Sequence, residues 1–473
     1  MPATAIDPVR SNTPLSPHPL GAAASSVATA RVSSRWCFLL GLGGMTFIRL
    51  IGYLAFTEVY FLATAMWRFG RYLPLITTGA AGMFSLLWVG WTLAAVSSDL
   101  WNNVLFELLA RGVSRALLTG IATLSIFIIC YPSMRRLEWI LVGLPVSMVI
   151  SLFYFRPGQS EFYASTLEDM LKFETSLNYI VTAATIAAAA CLYERFPWRV
   201  ITGLFALGPT YVLLGSRSTG GIMLLAGLTT MAFRMLQTRR SSQLKVGLGR
   251  LVMMGFVAVA GIAALKAGYE YAAENRLLSE KDLRKYDQEK QTSTGIFMSS
   301  RGVYVVTGFL AWRDRPFLGH GSWPEDTEGY YSRAAEIVGR PEEESRLVVR
   351  GQRVRTLLPV HSQLFGALVE HGVLAFALFA YMTWLVLWSI TFVPSLLPRY
   401  TALFAVLYWM SLWNFVASPQ GHRIPTAATW AFFLLAYAYR AARKQQLIGS
   451  RRVRNPALEH LSTDAHEPFR SVA

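Results

Sequence analysis

The feature that most constrains this chain is a run of twenty residues, Val373 to Phe392, without a single charged side chain. A helix rises ~1.5 Å per residue, so a run of this length covers the ~30 Å hydrocarbon core of a bilayer. Further apolar runs recur along the chain, and only 15% of all residues are charged. A soluble domain carries about 25% charged residues. The sequence therefore predicts a helical membrane protein.

The apolar runs divide into ten clear segments and one ambiguous region, residues 36–69. The clear segments lie near residues 73–96, 113–131, 137–155, 177–193, 198–214, 219–234, 246–267, 373–392, 400–416 and 424–439. We predict that residues 36–69 form two short spans that turn near Arg49 and Gly52, because an even number of spans puts both termini on one side. The predicted fold class is all-α, a polytopic integral membrane protein with about 12 transmembrane helices.

The formal net charge of +16 would suggest nucleic acid as a partner of a soluble protein. Here the basic residues fall in short connections between apolar segments, and cytoplasmic connections are the ones that collect Lys and Arg. The basic connections and tail are residues 68–71, 132–136, 194–199, 234–245 and 440–473. We therefore predict a multi-pass protein of the bacterial inner membrane with both termini cytoplasmic, whose basic residues contact the lipid bilayer and no nucleic acid.

The same topology divides the chain into five parts. We predict a disordered cytoplasmic N-terminus (1–35), transmembrane helices (36–267), a large periplasmic loop (268–360), C-terminal transmembrane helices (361–439) and a basic cytoplasmic tail (440–473). The large loop contains half of the acidic residues of the protein. A long loop in a tightly connected protein usually carries function. Within it, the spacing of residues 295–312 predicts a helix that Pro316 ends, and residues 325–354 are predicted to be either helical or a mobile flap.

Three short motifs surround this loop. The first is GSRSTGG, Gly215 to Gly221, at the outer end of a middle span. The second runs from Arg301 to the Pro-apolar-Gly-x-Gly turn Pro316–Gly321. The third is HSQLFGALVEHG, in which His361-Ser362 precedes an apolar helix with Glu370-His371-Gly372. In this order the motifs resemble those of the O-antigen ligase and polymerase superfamily of bacterial envelope glycosyltransferases.

The resemblance implies transfer of a glycan from undecaprenyl diphosphate to a hydroxyl group outside the inner membrane. The diphosphate is a good leaving group whose charge needs compensation, and an Arg guanidinium matches phosphate oxygens bidentately. Arg217 and Arg301 are the predicted diphosphate-binding residues. The attacking hydroxyl needs a base, and a histidine with a pKa near ~6.5 suits that role. His361 is the predicted catalytic base, with Glu370 and Arg315 as supporting residues.

We predict no cofactor and no metal. The sequence has no phosphate-binding loop, no His-Glu-x-x-His helix and no Asp-x-Asp pair at an outer membrane end. Each candidate residue also has a simpler interpretation. Arg217 resembles a headgroup anchor, Arg301 a solvated arginine, and His361 a helix-start residue. Glu370 is expected to pair with a basic group, His371 to face the membrane interface and His320 to serve in the turn. Four arginines are further sources of positive potential among which the sequence does not choose, Arg49, Arg313, Arg315 and Arg423.

The predicted function is polymerisation of undecaprenyl-diphosphate-linked repeats into exopolysaccharide or O-antigen. The alternative within the superfamily is a ligase that transfers the polymer to the lipopolysaccharide core. We favour the polymerase because the charged segment 325–354 suits a glycan path, and because HSQLFGALVEHG resembles the exopolysaccharide branch. A polysaccharide or lipid transporter and a non-catalytic partner of export-machinery proteins stay open as functions of another class.

Overall fold

A computed structural model describes residues 33–45, 47–49, 53–154, 177–239, 248–278, 280, 283, 286, 287, 302–338, 358, 360–418 and 423–454. The described chain forms a body, Ser33–Ala438, and a separate unit that includes the stretch from Tyr439 onwards. Of the predicted disordered N-terminus, residues 1–35, the first 32 residues lie outside the described residues, and so do residues 155–176.

The body is built almost entirely of helices. The longer helices of the described chain are α1 Ser34–Leu42, α2 Phe56–Arg68, α4 Gly79–Trp101, α5 Phe106–Cys130, α6 Arg135–Tyr154, α7 Asn178–Leu192, α8 Pro197–Leu213, α9 Arg217–Arg239, α10 Leu248–Glu274, α11 Gly302–Asp314, α12 Tyr330–Val338, α13 Gln363–Ser389, α15 Thr401–Ala417 and α16 Arg423–Arg454. Two four-residue helices are α3 Leu73–Ile76 and α14 Val393–Leu396. Two strands, β1 Phe47–Arg49 and β2 Tyr53–Ala55, pair antiparallel. Among the described residues, short 3₁₀ helices are found at Gly43–Met45, Phe69–Tyr72 and Pro398–Tyr400.

The helices follow the apolar segments of the sequence. In hydrocarbon, backbone polar groups must be satisfied within the segment, so an apolar segment folds as a helix. Five helical stretches of the described residues are long and apolar enough to cross a membrane, 79–101, 106–130, 217–237, 363–389 and 398–417. The protein is thus an all-α membrane protein. The total of about 12 crossings stays a prediction.

Helix α5 lies at the centre of the body. Every residue from Leu118 to Cys130 on it is buried, whichever face of the helix it occupies. A helix that is apolar all round is buried on all sides. The outer helices approach one another through small residues, as is usual in membranes. Gly41 of α1 meets Gly143 of α6, and Gly208 of α8 meets Gly220 of α9, without room for a Cβ atom.

The region 36–69 contains two short helices joined by a hairpin. Helix α1 has 9 residues and α2 has 13, so they span only ~14 and ~20 Å. Both lengths fall short of the ~30 Å hydrocarbon core. The predicted turn lies along the chain between β1, which ends at Arg49, and β2, which begins at Tyr53, and Gly52 is outside the described residues. The number of times this region crosses the membrane stays a prediction.

A cluster that we name the clasp holds together one end of the body. It consists of Glu138, Glu194, Arg399 and Tyr400. The Arg399 guanidinium contacts Glu138 at 3.1 Å and Glu194 at 2.9 Å, and the Tyr400 hydroxyl donates to Glu138 Oε1 at 2.5 Å. These contacts place the connections after α5, α7 and α13 at the same end, as their predicted common side of the membrane requires.

The described part of the large loop packs on the start of α13. The sequence predicted a helix over 295–312, and the structure has α11 from Gly302, with the preceding residues outside those described. The helix ends at Asp314, two residues before Pro316. Helix α12, Tyr330–Val338, makes part of segment 325–354 helical and packs on α11 through Val303 and Ala334. Residues 339–357 lie outside the described residues.

The unit that begins at Tyr439 is described by itself. Its described residues continue as helix to Arg454, so the basic segment predicted as a tail starts as a helix. Its basic residues include Arg440, Arg443 and Lys444.

Candidate functional site

Helix α13 is broken at Gly372. Its backbone there has φ 72° and ψ −163°, a combination that essentially only glycine adopts. The break divides α13 into a half-helix, Gln363–His371, and a long apolar helix from Val373. The predicted apolar run 373–392 corresponds to the second part, and the family-like motif with Glu370 lies on the first.

The turn Pro316–Gly321 docks on this break. A broken helix leaves carbonyl groups without their usual partners. The His320 N–H donates to the Val369 carbonyl at 2.8 Å and the Gly321 N–H to the Glu370 carbonyl at 2.9 Å. The Ser98 hydroxyl of α4 donates to the same Glu370 carbonyl at 2.8 Å. We name this contact of the turn 316–323 with the broken helix the junction.

The Glu370 side chain forms an ion pair with Arg115 of α5 inside the junction. Both side chains are largely buried, at 17% and 16% exposure. The Arg115 guanidinium also lies over the ring of Trp323, 5.2 Å from its centroid. The expectation that Glu370 pairs with a basic group thus fits the contact that is observed. Since a charge left alone in such a place is strongly destabilising, the two residues depend on each other.

A second buried contact runs through Ser322. Its backbone N–H donates to Asp99 Oδ1 at 2.5 Å, and its hydroxyl donates to Asp99 Oδ2 at 2.8 Å. The hydroxyl also lies 3.0 Å from His371 Nε2, and the indole N–H of Trp91 points to His371 Nδ1 at 3.4 Å. All four residues are buried. His371 therefore does not face the membrane interface, and that expectation is wrong because the break at Gly372 turns this residue inward.

Arg315 lies at the edge of the junction. Its guanidinium donates to the Asn102 side-chain oxygen, and the Asn102 amide donates to the Gly319 carbonyl at 3.2 Å. The structure therefore brings Arg315 and Glu370, the two predicted supporting residues, to the same junction.

His361 directly precedes the half-helix. Its ring lies edge-on against Tyr304 of α11, with ring centroids 4.1 Å apart. The next residue, Ser362, caps the half-helix by accepting from the Phe365 N–H at 3.2 Å. The Ser362 hydroxyl also donates to the Phe415 carbonyl of α15 at 2.6 Å. Two neighbouring helices thus fix the position of His361.

Arg217 is the first residue of α9. The turn before it contains Gly215 in the left-handed region with φ 86°, which ends α8 and starts α9 within a few residues. Ser216 accepts from Asn178 at 2.9 Å and bonds Thr219 at 3.0 Å. The Arg217 guanidinium lies over the ring of Tyr269, at the far end of α10, 4.0 Å from its centroid. The motif GSRSTGG therefore builds a tight helix–turn–helix that presents Arg217.

The other sequence-predicted arginines occupy different positions. Arg301 lies outside the described residues, and so does the side chain of Arg49. Arg313 lies 3.8 Å from Asp314. Arg423 is held by the buried Glu58, with Nε and Oε1 2.5 Å apart. Among the arginines that the sequence offered as sources of positive potential, Arg423 is thus paired with a carboxylate that compensates its charge.

His320 is a turn residue, as expected. Its Nε2 contacts the Ala311 carbonyl at 2.8 Å, and burial lowers its pKa below the usual histidine value. The neighbouring Tyr330 hydroxyl donates to Asp314 Oδ2 at 2.9 Å. Burial and this contact raise the pKa of Tyr330 to about 12.

Sequence reasoning missed four residues of the junction. They are Trp91, Asp99, Arg115 and Ser322. A signal was present for two of them. Asp99 and Arg115 are charges at the edges of long apolar segments, and an ionisable residue in such a place is by default a candidate for function. Trp91 and Ser322 gave no signal of their own.

No group of three His, Cys, Asp or Glu side chains that could hold a metal ion occurs among the residues that the structure describes. Metal-independent transfer stays a prediction.

The apolar helices and the buried polar contacts of the junction define the class of the protein. It is an integral membrane protein with a polar site where a large loop contacts a broken helix. Residues 202–380 match the family model described as O-antigen ligase, and the predicted resemblance to the O-antigen ligase and polymerase superfamily is confirmed. The match indicates a membrane glycosyltransferase-type enzyme of the inner membrane. Comparison with curated proteins gives no match.

Proposed function

We propose that the protein polymerises undecaprenyl-diphosphate-linked oligosaccharide repeats into exopolysaccharide or O-antigen on the periplasmic side of the inner membrane. The observation that carries the proposal is the family match over residues 202–380. This match contains all five predicted site residues, Arg217, Arg301, Arg315, His361 and Glu370, in the expected order along the chain.

The proposed reaction is a single displacement without metal or cofactor. His361 takes the proton of the acceptor hydroxyl, and the acceptor oxygen attacks the anomeric carbon. The bond from that carbon to the diphosphate oxygen breaks, and undecaprenyl diphosphate leaves with the electron pair. The configuration at the anomeric carbon is inverted. Arg217 and Arg301 bind the diphosphate and compensate its negative charge.

The positions of the three residues support these roles. The His361 ring packs on Tyr304 of α11, and Arg301 is the residue that directly precedes this helix in the chain. Arg217 is presented by a tight turn at the start of α9 that, in the predicted topology, faces the periplasm. Both termini are then cytoplasmic. Glu370 and Arg315 support the site by holding the turn 316–323 on the broken helix.

A ligase is the second candidate, because the matching family model is described as O-antigen ligase. The two functions share the donor and differ in the acceptor, which is another lipid-linked repeat or a lipopolysaccharide core. The charged segment 325–354 favours the polymerase, since alternating Arg and Glu side chains can hydrogen-bond sugar hydroxyls along a growing glycan. Export-machinery proteins are proposed as partners of either activity.

The lipid-linked glycans of a deletion strain test this choice. If the protein is the polymerase, the strain accumulates single repeats on the lipid carrier and loses long polymer. Accumulation of long polymer on the carrier, with none on lipopolysaccharide, would instead show a ligase. Purified full-length protein that lengthens carrier-linked repeats in detergent would exclude a transporter and a non-catalytic partner.

A further inference from the structure

The half-helix Gln363–His371 is held at both of its ends. At the first end, Ser362 ties it to the Phe415 carbonyl of α15, and His361 precedes it directly. At the second end, Glu370 pairs with Arg115, and His371 contacts Ser322 at 3.0 Å. The proposed base thus lies two residues before a short helical element that is held in place at both ends, and its orientation depends in part on the contacts at the junction.

The hydrogen bonds of Ser322 form a chain in which each donor and each acceptor can be assigned. An indole N–H can only donate, so His371 Nδ1 accepts from Trp91 and the imidazole proton lies on Nε2. His371 Nε2–H then donates to the Ser322 hydroxyl oxygen, and the Ser322 O–H donates to Asp99. Every proton has an acceptor in this arrangement. The chain ends on a carboxylate that also accepts the Ser322 backbone N–H at 2.5 Å.

This hydrogen-bond chain lies in close contact with three helices. A Cβ atom on Gly112 of α5 would lie 1.7 Å from the Ser322 hydroxyl and 2.5 Å from its Cβ. Ser322 therefore reaches Asp99 of α4 and His371 of α13 only because residue 112 has no side chain. One serine of the loop thus connects α4, α5 and α13 at a buried point, and it does so directly beside the break at Gly372.

We propose that Ser322 is a positioning residue of the transferase, which acts through Asp99 and His371 to hold the half-helix, and with it His361, in its reactive orientation. This inference rests on the proposed function, because it assigns the orientation of the proposed base. Ser322 itself touches neither donor nor acceptor. Its effect should appear in the chemical step, since small displacements of a catalytic group reduce rate far more than they reduce binding.

The test compares purified full-length variants in detergent. The donor is the carrier-linked oligosaccharide extracted from the deletion strain. Ser322→Ala should lower kcat on the order of 10–100-fold and leave KM for the donor nearly unchanged. A second pair of variants, at His371, tests the same contact, so that the conclusion does not depend on Ser322→Ala alone. His371→Gln keeps one donor and one acceptor and should retain much more of kcat than His371→Leu, which has neither.

A matched control separates positioning from general destabilisation. Thr229→Val removes a buried acceptor of the Trp409 indole N–H, 2.9 Å away between α9 and α15, and should leave kcat per folded molecule unchanged. If Thr229→Val lowers kcat as much as Ser322→Ala does, or if Ser322→Ala keeps the kcat of the wild type while His361→Ala is inactive, the positioning role is overturned. If His361→Ala is itself active, the proposed function fails instead.

Discussion

The junction and the clasp lie at opposite ends of α13, and both join a buried carboxylate to an arginine. In the clasp, Arg399 connects Glu138 and Glu194 across the ends of regular helices. In the junction, Glu370 and Arg115 meet where α13 is broken and its carbonyl groups accept hydrogen bonds from a loop. The clasp thus joins neighbouring connections, whereas the junction depends on an interrupted helix.

This difference indicates at which of the two ends the backbone adopts an unfavourable conformation. Backbone outliers such as Gly372 and Trp323, with φ 58°, are unfavourable by ~1–3 kcal/mol where the residue is not suited to them. Both lie in the junction, whereas none of the four described residues of the clasp has a positive φ. Strained backbone of this kind concentrates at functional sites. We therefore expect the clasp to serve as scaffold and the end with the junction to carry function.

The largest expected effect is that of His361→Ala, at the end with the junction. Loss of a general base typically reduces rate ~10²–10⁴-fold, so transfer should be undetectable while the protein still inserts and folds. Turnover of carrier-linked oligosaccharide by the purified variant measures it. His320→Gln is the matched control, because it keeps an N–H for the Ala311 carbonyl and should retain activity. Near-normal turnover by His361→Ala would remove this histidine from the mechanism.

The second largest expected effect is that of Gly372→Ala, which changes the residue at the break of α13. A Cβ atom there would lie 1.9 Å from the Phe317 carbonyl oxygen, and alanine is strained by ~1–3 kcal/mol at this backbone conformation. We expect a clear fall in melting temperature and loss of most activity. Gly366→Ala, on the same half-helix with no atom within 4 Å of the added Cβ, should be tolerated. If Gly372→Ala is equally well tolerated, the break is not required.

The sequence allowed the helices to be predicted but not the junction. Runs such as 373–392 specify their own structure, because in hydrocarbon a helix alone satisfies the backbone. The motif with Glu370 and Gly372 could be recognised, yet its geometry depends on a turn fifty residues away along the chain. No local pattern shows that His371 meets Ser322 or that Glu370 meets Arg115. These pairs are set by tertiary packing, and a single sequence contains no periodicity that reports it.

The same distinction applies to the candidate site, whose residues were predictable while the contacts that hold them were not. Arg217 and His361 were predictable as residues, because an arginine after Gly215 and a histidine before a helix are visible in the sequence. The reasons for their rigidity were not. Tyr269 lies far from Arg217 along the chain, and Phe415 lies far from Ser362, so the contacts that fix them appear only in the folded protein.

The smallest expected effect is at the clasp. Tyr400→Phe removes the hydroxyl that donates to Glu138 Oε1 at 2.5 Å, while Arg399 still pairs with that carboxylate. A hydrogen bond to a charged group contributes ~1.5–3 kcal/mol, so the melting temperature should fall by a few degrees. Since the clasp lies at the far end of α13 from His361, kcat and KM should equal those of the wild type.

The matched control for the clasp is Tyr381→Phe on α13. Its hydroxyl donates to a neutral acceptor, the Ala80 carbonyl, at 2.9 Å, and such a bond contributes only ~0.5–1.5 kcal/mol. Thermal unfolding of the two variants should therefore rank Tyr400→Phe as the less stable, with equal activity per folded molecule. A fall in kcat for Tyr400→Phe as large as that for Ser322→Ala would mean that the two ends do not differ in function, because a change at the scaffold end would then reach the proposed base as strongly as a change at the junction.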